Sequence, residues 1–135
     1  MSKTMDLANA FSLLGDQLDQ LYDDLKASGQ LGQAQQVKNA ENDIEQAALD
    51  LNALDAIDEL ADPDDQKTLQ NLTDAMTAAS NKISQKEALV SSIVQMCTSL
   101  VSMVASFKDG NVVSAVSSAA SALGQFQKIT GWKPS

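Results

Sequence analysis

The chain has 135 residues, the length of one ordinary domain, and its 44% of apolar residues are enough to enclose a core without disulfide bonds. Its net charge is −9, and its basic residues are nine lysines, with no arginine and no histidine. This composition excludes histidine-based catalysis and disfavours nucleic-acid binding, which depends on clustered lysine and arginine, so we expect a protein that is not an enzyme.

Two amphipathic helices are predicted in the first part of the chain. The first follows a capping residue at Thr4, and its apolar residues alternate at spacings of four and three from Leu7 to Leu25. The second repeats this spacing from Val37 to Ala61, with alanine at several positions of the stripe. Small residues in an apolar stripe indicate that a neighbouring helix approaches closely.

The next helix is predicted to start at Asp62 and Pro63, because aspartate is a favoured N-cap and proline is favoured at the first helical position. From Leu69 onwards the apolar spacing continues up to the next glycine, with a single interruption at Lys86. We therefore predict one long third helix. A break near residues 81–86 is the alternative.

The end of this third helix is predicted at Gly110, because glycine is favoured just beyond helix C-termini, and Asn111 can cap a fourth helix that follows. No stretch with the alternation of a β-strand competes with these helices. The predicted fold is all-α: an elongated antiparallel four-helix bundle with one long third helix and a C-terminal uncharged helical hairpin.

Charge divides the chain into two unlike halves. Residues 1–74 hold sixteen acidic residues and four lysines, a net charge of −12, whereas residues 75–135 carry a net charge of +3. We predict a single helical domain over residues 1–135, made of an acidic helical half and a neutral apolar half. The acidic half favours solubility and could meet a basic protein surface.

Residues 88–107 form twenty consecutive positions without a charge, which is about the length of a membrane span. Four of the seven heptad columns in this segment are apolar, where a partly exposed bundle helix needs about three. Five serines, one threonine and one glutamine oppose insertion, because each costs roughly 0.5–2 kcal/mol in lipid when unpaired. The apolar residues contribute roughly −2 to −5 kcal/mol, so a constitutive membrane span is disfavoured.

The residues after the turn, 111–127, are also uncharged, so residues 88–127 are predicted to form a neutral helical hairpin. This hairpin has more apolar faces than its two helices can bury against each other. Another helix, another subunit or a membrane must therefore cover the remaining faces. The candidate partner-binding or membrane-facing residues are Leu89, Val90, Val94, Met96, Val101, Met103, Val112, Val116, Leu123 and Phe126.

We expect a non-enzymatic helical-bundle protein that acts through helix–helix contacts of the 88–127 hairpin, either with itself or with another helical or basic protein. The alternative is a membrane-active protein of the α-helical pore-forming-toxin type, whose hairpin inserts on oligomerisation. A third hypothesis is an acidic immunity or inhibitor protein for a basic partner. The layout is also shared with filament and needle subunits of secretion systems, although no motif accompanies the likeness.

The single cysteine, Cys97, lies on the apolar stripe and is expected to be a small buried hydrophobic residue. The acidic run at residues 55–65 lacks the glycine and glutamate of an EF-hand loop, so helix capping explains it and no metal or cofactor is expected. We expect a cytoplasmic protein without a signal peptide, with non-classical export left open.

Overall fold

The computed structural model describes residues 3–54, 60–85 and 89–130, and these residues form five α-helices without a β-strand. The all-α prediction is confirmed, but the predicted number of four helices is not. The helices are α1 (Lys3–Ala27), α2 (Leu31–Leu54), α3 (Pro63–Ser84), α4 (Val90–Lys108) and α5 (Val112–Thr130).

The first two helices form a hairpin around a short turn. Their apolar stripes are buried, with Phe11 on α1 and Ile44 on α2 both fully enclosed. Gly29 has φ +78°, a conformation that glycine adopts without steric cost. The backbone N–H of Gln30 donates to the carbonyl of Leu25 at 2.9 Å, which satisfies one of the last free carbonyls of α1.

The prediction of one long third helix is wrong. The described helix α3 ends at Ser84, inside the alternative break region, and Leu89 has an extended backbone (φ −76°, ψ 137°) before α4 begins. A continuous helix of about 45 residues, from Pro63 to the turn at Gly110, would be roughly 65–70 Å long. The 25 residues of α1 span only about 37 Å. Dividing such a continuous helix into α3 and α4 allows both apolar stripes to be buried in the same core.

The five helices are arranged as a ring in which each helix packs on two neighbours. Around the ring the order is α1, α2, α4, α5 and α3, and α3 closes the ring against α1. Ser106 Oγ lies 3.3 Å from Ser114 Oγ, so α4 and α5 are antiparallel. Lys108 and Asp50, near the C-terminal ends of α4 and α2, form an ion pair at 3.3 Å. The α2–α4 pair is therefore parallel, contrary to the predicted antiparallel arrangement.

The buried apolar residues of all five helices form one core. Phe11 and Phe126 are its largest fully buried side chains, and three alanines of α5 bring that helix close to its neighbours. The core therefore lies along the middle of the ring, and the faces between adjacent helices are where grooves open to solvent.

Candidate interaction groove

The ring determines which hairpin residues a partner could reach. Met96, Met103 and Phe126 are fully buried, because the faces of α4 and α5 that carry them turn towards the core. In this arrangement they are core residues, and a partner or a membrane could reach them only if α4 and α5 left the ring. Leu89 and Val112 remain exposed, at 73% and 41%. The remaining candidates are half-buried: Val90, Val94, Val101, Val116 and Leu123.

Two of the half-buried residues, Val94 and Val101, lie in a groove between α2 and α4. The part of this groove towards the N-terminal ends of α2 and α4, which we call the upper part, has a volume of about 260 Å³. Its lining residues are Gln36, Asn39, Ala40 and Asp43 of α2 and Val94, Cys97, Thr98 and Val101 of α4.

The lower part of the groove, of about 150 Å³, shares Asp43 and Val101 with the upper part and extends to the Asp50–Lys108 ion pair. Small side chains, including Ala47 and Ala105, line this lower part and leave space between the two helices. We refer to the two parts together as the α2–α4 groove. It follows both helices for most of the length of α4.

The two walls of the α2–α4 groove differ in polarity. The α4 wall presents Val94 and Val101, each half-buried, and carries no charge until Lys108. The α2 wall presents amide side chains and the carboxylate of Asp43, an exposed residue. A partner would therefore meet apolar contacts on one side and hydrogen-bond acceptors and negative charge on the other.

Cys97 lies at the base of the α2–α4 groove and is 1% exposed. Burial, with a smaller contribution from the negative charge of Asp43, raises the pKa of its thiol to about 12. At neutral pH the thiol is therefore protonated, and it lacks the thiolate form that nucleophilic chemistry requires. Within the described ranges, no three acidic or cysteine side chains are placed to hold a metal ion.

The four residues expected at helix ends take part in helix capping. Asp62 accepts a hydrogen bond from the backbone N–H of Asp64 at 2.9 Å, and Pro63 is the first residue of α3. Gly110 has φ +77°, and Asn111 Oδ1 accepts a bond from the N–H of Ser114 at 3.1 Å. These residues end and start helices and do not line the groove.

The contribution of α2 to the groove was not predicted from the sequence. The uncharged segment predicts a contact surface on residues 88–127 alone, whereas half of the groove lining comes from α2. Alanines along the α2 stripe did indicate a close neighbour, and Ala40 and Ala47 line the groove beside α4. Nothing in this local pattern indicates which of the later helices that neighbour is.

A second groove lies at the end of the bundle that holds the α1–α2 turn. It has a volume of about 330 Å³, and apolar residues from α1 and the start of α4 line it, among them Leu25, Leu89 and Val90. Leu31, nearby in sequence at the start of α2, is 64% exposed. Single exposed apolar residues are common on protein surfaces and need no functional explanation. This groove is also shorter than the α2–α4 groove, so we do not treat it as the candidate site.

Among the described helices, α4 has the length and mean hydropathy (1.5) of a possible membrane span, a property of its length and composition alone. Comparison with known proteins gives no relative, because no family model, no curated protein and no solved structure matches the chain.

Proposed function

We propose that this chain is a non-enzymatic protein-interaction module that binds a partner helix in the α2–α4 groove. The observation that carries the proposal is the placement of Val94 and Val101, which are half-buried in an open groove. Apolar side chains in an open groove with polar residues beside them are typical of sites that bind an amphipathic helix.

The dimensions of the α2–α4 groove support this occupant. From Gln36 to Asp50 the α2 wall spans fourteen residue steps, which is about 21 Å along a helix. A partner helix of about four turns would follow it from end to end. Val94 and Val101 are separated by seven residues, so they match apolar residues that repeat every two turns on a partner.

The test compares two valine-to-aspartate substitutions. Val101→Asp places a charge in the groove, whereas Val113→Asp makes the same change at a residue that is 83% exposed and outside the groove. The wild-type protein is isolated, with its bound partner, from the cells that make it. We expect Val101→Asp to lose this complex and Val113→Asp to retain it. Circular dichroism should show both variants folded. Retention of the complex by folded Val101→Asp would overturn the proposal.

A membrane-active role is a second candidate, favoured by the hydropathy and length of α4. Insertion requires α4 and α5 to leave the ring, because Met103 and Phe126 are otherwise directed into the core. Dye release from anionic and neutral liposomes tests this role. Release of the dye at micromolar protein concentration would support the membrane-active role if Val101→Asp abolishes that release. Intact liposomes under both conditions would exclude it.

A further inference from the structure

We infer that the occupant of the α2–α4 groove is a cationic amphipathic helix of another protein, not a second copy of this chain. This inference rests on the proposed function, and it specifies the chemistry of the partner. The charges and hydrogen bonds along the groove carry it.

The first observation is an acidic side chain that the bundle leaves without a cation. Asp43 is exposed on the α2 wall, where the upper and lower parts of the groove meet. Within the described part of the chain no lysine forms an ion pair with it, whereas Asp50 and Glu41 of the same helix pair with Lys108 and Lys38. A lysine or arginine of a partner would supply the missing charge.

The second observation is the polarity of the groove around Asp43. The amides of Gln36 and Asn39 also line the α2 wall. The Gln36 oxygen can accept a hydrogen bond from a cationic side chain, and Asn39 Oδ1, which accepts from Gln35 Nε2 at 2.9 Å, retains a second lone pair. Val101 of the α4 wall lines the same two parts of the groove as Asp43. A helix with lysine or arginine beside an apolar stripe matches both walls at once, with its apolar stripe on α4 and its cations towards α2.

The third observation is that charge disfavours the other possible occupants of the groove, which are a second copy of the chain, an anionic lipid surface and a nucleic acid. The chain has a net charge of −9, so two copies that approach through their acidic walls repel each other. An anionic lipid surface and a nucleic acid are disfavoured at this groove because, among the described residues, Lys108 is the one cation that lines it, and Lys108 is paired with Asp50. Charge complementarity therefore selects a cationic partner.

The experiment uses two labelled 18-residue helical peptides with an identical apolar stripe of leucine and alanine. One peptide carries lysine and the other glutamate at the positions flanking the stripe. Fluorescence anisotropy with the full chain measures the affinity for each. We expect the lysine peptide to bind at least about tenfold more tightly than the glutamate peptide, with an affinity that falls as salt is added.

Two carboxylates of α2 provide a matched pair of variants. Asp43→Asn and Glu45→Gln each remove one negative charge, but Glu45 faces α1, where its Cγ lies 3.4 Å from the Cβ position of Gly15. Asp43→Asn is expected to weaken binding of the lysine peptide about three- to tenfold, and Glu45→Gln less than twofold. Equal effects of the two variants would mean attraction by overall charge only, and would overturn the inference.

The remaining outcomes separate this inference from the proposed function. If both peptides bind equally and Val101→Asp abolishes both, the groove binds helices but does not select cations, and the inference alone fails. A dimer in sedimentation equilibrium that Val101→Asp dissociates would also overturn the inference while supporting the groove. If neither peptide binds, both the inference and the proposed function are overturned.

Discussion

Cys97 shows how position in the ring determines the chemistry of a side chain. Its place on the apolar stripe predicts a small buried hydrophobic residue, and in the bundle Cys97 is 1% exposed. Burial is the main reason that the pKa of the thiol is raised, and the carboxylate of Asp43 adds to the effect. The spacing of apolar residues could predict the burial, but the proximity of Asp43 depends on how α2 and α4 pack.

The raised pKa of Cys97 has a consequence for stability at alkaline pH. The ordinary thiol pKa is 9.0, which is expected in the unfolded chain, and the folded value is about 12. Between these values the unfolded state releases a proton that the folded state retains. The free energy of unfolding should therefore fall by up to about 1.4 kcal/mol per pH unit above pH 9, and the full contribution is present below pH 9.

Urea unfolding at several pH values from 8 to 10.5 measures this effect. Cys97→Ala is the control, because it shares every lysine and tyrosine titration but has no thiol. We expect the difference in unfolding free energy between the two proteins to change with pH. The same pH dependence in both proteins would show that the thiol is not buried as described.

Local signals at helix ends are the part of the structure that the sequence conveys most directly. The hydrogen bond between Asp62 and the N–H of Asp64 joins residues two positions apart, and that between Asn111 and Ser114 joins residues three positions apart. Such bonds depend on a few neighbouring dihedral angles and not on the rest of the fold. Residue types alone therefore identify Asp62 and Asn111, whereas Thr4, which is also predicted as a capping residue, lies inside α1.

Two glycines in neighbouring elements are expected to respond in opposite ways to alanine. Gly110 lies between α4 and α5 with φ +77°, which an L-residue adopts only with strain. Gly124 lies inside α5, and a Cβ there would meet nothing within 4 Å. Gly110→Ala should lower the free energy of unfolding by about 1 kcal/mol, and Gly124→Ala should raise it by about 0.5–1 kcal/mol.

Chemical denaturation of the two variants beside the wild type checks this prediction. Gly110→Asn provides a further comparison, because asparagine tolerates the left-handed region better than alanine does. It should fall between wild type and Gly110→Ala. Equal destabilisation by Gly110→Ala and Gly124→Ala would contradict the assignment of one glycine to a turn and the other to a helix.

The division between α3 and α4 could not be derived from the helix pattern. No glycine or proline separates the two helices, and the spacing of apolar residues permits one helix through the whole stretch. A helix pattern states which side must be buried but not how many neighbours are available to bury it. In the bundle α3 is covered by α1 and α5, while α4 is covered by α2 and α5, and a single straight helix could not occupy both places.

At the scale of the whole molecule, the order of helices around the ring is the feature that sequence reasoning missed. An antiparallel bundle predicts that helices next to each other in sequence pack together, which holds for α1–α2 and α4–α5 but not for α2–α3. The order places the neutral helix α4 beside the acidic helix α2. The α2–α4 groove therefore combines Val101 from the neutral half with Asp43 from the acidic half.

The ring also accounts for the long uncharged segment. An isolated α4 would expose four apolar columns, but in the bundle Leu100 and Met103 are fully buried and the Val94–Val101 column is half covered by α2. The bundle itself therefore provides most of the cover that the sequence required. Leu89 and Val112 stay exposed at the start of α4 and of α5, and the α2–α4 groove is the open part that runs along α4, which is why we propose it as the partner surface.

The most direct test of that assignment is photo-crosslinking from two matched threonines. Thr98 lines the groove, whereas Thr77 lies on α3, which contacts neither α2 nor α4. Both threonines are exposed, and the hydroxyl of each donates to the backbone carbonyl four residues earlier. p-Benzoylphenylalanine at one position or the other is irradiated in the cells that make the protein. We expect a discrete adduct from position 98 and none from position 77. Adducts from position 77 alone, or equal adducts from both positions, would contradict it.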